Sequence, residues 1–248
     1  MSKTMLSSAE FFRECVSFLR GERSAHRAWE SLITAAEEGS LEAFGLTVSL
    51  IGASDNCREL GALAGGPLYE FADSTDADVH VRLSVAAERD VRLGRCLVAV
   101  DRYTRAVAGL QIALSRATSC ESSSNSARPL GAHEVIRKVV ERCGDDGCVA
   151  VENPYAAYDA VNYGEEWPLL LADIRAASDR SLLMDLATRL DSLLLHAEHR
   201  LVTDVVAQVV ASPAFRCCLS YATLWGLSER TVATLRVVTD AIERTSQR

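Results

Sequence analysis

The sequence predicts an all-α protein, a multi-helix bundle of roughly eight to ten helices. Three observations predict it. Over residues 181–210 apolar side chains recur at intervals of three and four, with no glycine or proline to interrupt them. Leu182, Leu186, Leu190, Leu193, Leu194, Ala197, Leu201, Val205 and Val209 form the main stripe, widened by Leu183, Ala187, Val202, Val206 and Val210; that period puts side chains on one helix face. Elsewhere, cap and stop residues bracket other segments with the same period. The one alternating stretch, Leu-Thr-Val-Ser-Leu-Ile at 46–51, has no second strand to pair with, so helix is expected there as well.

Ser7 and Glu10 fit a capping box ahead of the apolar stripe Phe11, Phe12, Cys15, Val16 and Leu19, which Gly21 stops. Trp29, Leu32, Ile33 and Ala36 mark a second helix ending near Gly39. Gly61, Gly65, Gly66 and Pro67 read as a break. Thr75 and Asp78 read as the next cap, followed by Val79, Leu83, Ala86, Leu97, Val100, Val107, Leu110 and Leu114. Gly94 and the charges at 88–92 predict two helices there, or one bent helix.

Residues 118–129 are rich in serine and hold no large apolar side chain, the composition of a linker. Beyond them Val135, Ile136, Val139, Val140 and Cys143 give a short amphipathic helix ending at Gly144. Residues 145–164 read as an ordered irregular loop, and Trp167-Pro168 opens a helix with proline in its first turn. Ser212-Pro213 stops the long helix and starts another, and Ser228 caps the last.

This order divides the chain into a helical module at 1–117, a linker at 118–130 and a second module at 131–248, with a single mixed bundle as the alternative. A shift of 122 residues places Leu68 on Leu190, Phe71 on Leu193, Val79 on Leu201, Leu83 on Val205, Cys96-Leu97 on Cys218-Leu219 and Tyr103 on Trp225. That agreement makes duplication of the module one reading of the two halves.

The formal net charge of −8 and the lack of a basic stripe argue against nucleic-acid binding. The first twenty residues show no basic start followed by an apolar run, and no stretch reaches the roughly 18 apolar residues of a membrane span. The expectation is a soluble protein of the cytoplasm, its eight cysteines reduced and serving mostly as small apolar side chains.

Candidate chemistry is sparse. His196 and His199 share a helix face but lack the spacing and companions of a zinc site, and neither metal nor cofactor is expected. Asp76, Asp78 and His80 crowd a predicted helix start, where acids complement the helix dipole. Cys217 and Cys218 follow Pro213 closely, where helix amides can activate a thiol; buried inert cysteine is the competing reading. Leu190-Asp-Ser-Leu193-Leu194 has the pattern of a groove-docking helix, and equally that of a core. Pro213-Ala-Phe215 ahead of Trp225-Gly-Leu227 resembles a short segment of the large subunits of bacterial contractile sheaths, at a different spacing and in a much shorter chain, and nothing is carried over from it.

The binding candidates are Tyr155, Tyr158 and Tyr163, since tyrosines in a polar loop offer contact area with a polar tip; packing of the loop on its own domain competes with that role. The functional expectation is a non-enzymatic interaction or assembly protein, whose partner is another protein or a second copy of itself. The alternatives are a small helical enzyme whose Asp and His residues converge from separate helices, and an acidic inhibitor that meets a basic partner.

Overall fold

The computed structural model describes residues 8–118, 134–143, 149–153, 155, 163–224 and 227–246. Among them are twelve α-helices and no strand, so the all-α class holds. The surplus over the expected number arises partly at the Gly-Gly-Pro break, where a short helix forms on each side of Gly66. By contact the chain forms two compact units, Met1–Arg102 with Leu130–Pro154, and Tyr103–Pro129 with Tyr155–Arg248. Apart from Thr118, the serine-rich linker lies outside the described residues, as does the Ser7 cap.

In the first unit, α1 (Ser8–Leu19) ends on Gly21 at φ 94°, with the Glu22 and Gly21 amides bonding back to Ser17 and Phe18. The end of α2 (His26–Glu37) repeats this arrangement at Gly39. A positive φ is open to glycine because it lacks Cβ, so both stops are explained by the residue type. Between α1 and α2 the fully buried Trp29 stacks on Phe18 at 4.9 Å.

Ser40 caps α3 (Leu41–Ala53), the helix expected over the alternating stretch. Asn56 caps α4 (Cys57–Gly65) by accepting the Glu59 amide, and the Glu59 carboxylate accepts from the Asp55 amide and the Asn56 side chain in return. Thus Gly61 and Gly65 lie inside a helix, and the break narrows to Gly66 before α5 (Pro67–Asp73). Gly66 is required by packing, since a Cβ there would approach the Trp29 ring to 2.7 Å.

The cap of α6 (Ala77–Arg89) is Asp76, whose carboxylate accepts the Asp78 amide at 2.8 Å; this corrects Thr75 by one residue. Two helices follow as expected, but the division falls at Asp90, four residues before Gly94. Asp90 closes α6 and accepts the Arg92 amide at the start of α7 (Val91–Thr118). An acid that can cap is a stronger boundary than a glycine that a helix tolerates. α8 (Glu134–Cys143) packs on α6.

In the second unit, α9 (Tyr163–Ala176) starts before Trp167-Pro168, so Pro168 stands inside the helix instead of in its first turn. The carbonyl that its missing N–H would have bonded belongs to Gly164, which is exposed to water. Asp179 caps α10 (Arg180–Ala211). Leu186, Leu190, Leu194, Ala197, Leu201, Val205 and Val209 are buried as the period predicts. Leu182, in the first turn, is 41% exposed, and Val210, near the last residue, is 58% exposed, so the stripe covers less at its ends.

Ser212 closes α10 and caps α11 (Pro213–Tyr221) by accepting the Phe215 amide, at a bend of 119°. The buried Arg216 guanidinium donates to the Val209 and Val210 carbonyls at 2.7 and 3.3 Å, which places a cation on the open C-terminal end of α10. Ser228 caps α12 (Glu229–Ser246). Among the described residues no single helix is long and apolar enough to cross a membrane.

Candidate interaction surface

Most of the polar residues singled out in the sequence are used within the fold. Asp76 caps α6, and the buried His80 places Nε2 3.3 Å from the Ala72 carbonyl. Asp76, Asp78 and His80 belong to the first unit, His196 and His199 to the second. No group of His, Cys, Asp and Glu suited to a metal ion occurs among the described residues. Leu190, Leu193 and Leu194 are buried, so the Leu-x-x-Leu-Leu pattern is core.

Tyr155 is only 4% exposed, and its ring stands edge-on to His196 with centroids 5.7 Å apart. This is the packing alternative, and it leaves the Tyr155 side chain little area for a partner. The side chains of Tyr158 and Tyr163 lie outside the described residues.

The cysteines divide. Cys15, Cys57, Cys96 and Cys218 carry thiols. Burial first, and the charge of Asp191 second, push the Cys218 thiol up to about 12, which keeps it protonated and inert. Cys217 is disulfide-bonded, a correction to the expectation that all eight are reduced; its sulfur lies 3.7 Å from the Tyr221 hydroxyl.

Sequence reasoning missed a polar anchor in the second unit. Leu224 is buried at φ 61°, a strained position for a side chain with Cβ. The Asp191 carboxylate accepts the Thr223 and Leu224 amides at 2.8 and 3.0 Å. Burial raises the affinity of that carboxyl for its proton, and the two amide bonds act in the opposite direction. The Tyr103 hydroxyl reaches the Leu224 and Leu227 carbonyls at 2.7 and 3.0 Å, and Gln111 donates to the Ala222 carbonyl. The buried Glu198 carboxylate accepts from the Ser228 and Thr231 hydroxyls. These groups satisfy one turn and the start of α12, which is a structural task.

The glycine faces of the first unit were also missed. On α4, Gly61 and Gly65 are one turn apart, and the irregular segment 149–153 crosses them. A Cβ on Gly61 would run into the Ala150 carbonyl oxygen; one on Gly65 would lie 2.7 Å from the Glu152 carbonyl oxygen and 2.8 Å from Val151 Cγ1. The Glu152 amide donates to the Gly61 carbonyl at 3.2 Å, and Arg102 holds the Val149 carbonyl at 2.7 Å. Val149, Val151 and Asn153 are buried while Ala150 and Glu152 are exposed, so the segment shows the period-two burial of an extended chain.

On α3 the inner face is Ala43, Thr47, Leu50 and Ile51, all buried. The outer face consists of Leu41, 56% exposed, with the exposed Gly45, Ser49 and Gly52 and the half-buried Val48. Exposed Glu42 lies beside Ser49 on this face, the Arg92 guanidinium donates to the Gly52 carbonyl at 3.0 Å, and the Ser49 hydroxyl is turned back onto the Gly45 carbonyl at 2.8 Å. Among the described residues a Cβ on Gly45 or Gly52 would meet nothing within 4 Å. Gly45 lies in the helix interior, where glycine costs about 1 kcal/mol against alanine. Among the described residues nothing within 4 Å requires the missing Cβ. The sequence signal for both faces was small residues at helical spacing, which reads locally as punctuation.

No family model matches the chain, and neither a curated protein nor a solved structure matches it.

Proposed function

We propose that the protein is a non-enzymatic helical interaction or assembly protein that acts through protein–protein contacts. The observation that carries this reading is the outer face of α3, lined by glycines whose missing Cβ atoms nothing among the described residues requires. Absence of Cβ matters where another backbone comes close, as segment 149–153 does on α4. A contact of that kind on α3 would offset the helix-propensity cost of Gly45. The use of Asp76, Cys218, Asp191 and Glu198 in capping and packing supports a role for surfaces over side-chain chemistry.

The test is the solution mass by light scattering behind a sizing column, for the native chain and for Gly45→Leu. The reading expects an assembly that Gly45→Leu dissociates while the helical signal is retained. An assembly indifferent to Gly45→Leu would remove the α3 face from the proposal. A monomer at every concentration would overturn self-association and leave a foreign protein as partner. The expected cytoplasmic setting is proposed on the four thiols, with the Cys217 disulfide against it. Thiol titration of the unfolded protein separates the cases: eight reactive thiols fit a reduced chain, and six (eight minus one pair) fit one bridge.

A further inference from the structure

We draw no further inference here: the strongest candidate, the carboxylate cluster of Glu37, Glu70 and Asp73 where α2 meets α5, in which burial first and the two neighbouring acids second push Glu70 up to about 7, carries nothing because no other feature among the described residues points to a ligand there.

Discussion

Helices α3 and α4 both carry glycines on one face, and the two faces have opposite fates. On α4 the space left by the missing Cβ atoms is filled by backbone from 149–153, some ninety residues further along the chain. On α3 no described residue fills the corresponding space. A glycine is therefore not informative by itself: the same residue type, in the same kind of helix, is a packing requirement in one place and a stability cost in the other. What differs is whether another segment arrives.

The sharpest way to break this comparison is Gly61→Ala. The added Cβ meets a carbonyl oxygen held in place by the Glu152 amide and Arg102 contacts, so unfolding in denaturant should show a loss of about 3 kcal/mol. A loss under about 0.5 kcal/mol would mean that segment 149–153 does not rest on α4. Next is Arg102→Met, which keeps much of the stem and removes the charged bond to the Val149 carbonyl. It should cost about 2 kcal/mol by the same assay; an unchanged midpoint would show that the segment is held by its buried side chains alone.

Glu70→Gln serves as a control, since Glu70 is not among the atoms a Cβ at any of these four glycines would meet. The folded state raises this carboxyl from 4.5 to about 7, so folding favours its protonated form. Its contribution is complete below about pH 4.5 and is lost as the pH rises through about 7. Glu70→Gln should therefore stabilise the protein at pH 8 by about 1–3 kcal/mol and converge on the native chain at pH 4. A pH-independent difference would refute the burial argument.

Gly45→Ala should act in the opposite direction to Gly61→Ala, raising stability by about 1 kcal/mol in dilute monomer, since it adds helix propensity without a clash. A loss of similar size at a concentration where the protein assembles would instead mark the face as occupied. Ser49→Ala, on the same face, should change thermal stability least, within about 0.5 kcal/mol, because its hydroxyl bonds only to its own helix.

Much of the fold was legible because its causes are local. The long helix was expected at 181–210 and is found at Arg180–Ala211, since the apolar period and the Ser-Pro stop both act within a turn or two. Gly21 and Gly39 were legible for the same reason: positive φ is a property of the residue and its nearest amides. Where local signals compete, they misled. Gly94 looked like a boundary, but Asp90 can cap and took that role. Pro168 looked like a first-turn proline, but the helix begins earlier because an exposed Gly164 carbonyl can turn to water. Tyr155 is buried by a contact with His196, forty-one residues away, which no loop composition reveals.

By itself, then, the sequence determined the helical class, the boundaries at Gly21, Gly39 and Ser212-Pro213 and the buried stripe of α10, because hydrogen bonds four residues apart and a 3.6-residue period are written in neighbouring positions. Only the tertiary structure decided that the Cβ positions of Gly61 and Gly65 are occupied while, among the described residues, those of Gly45 and Gly52 are not. The absence of a side chain specifies nothing until distant backbone does or does not come to fill it.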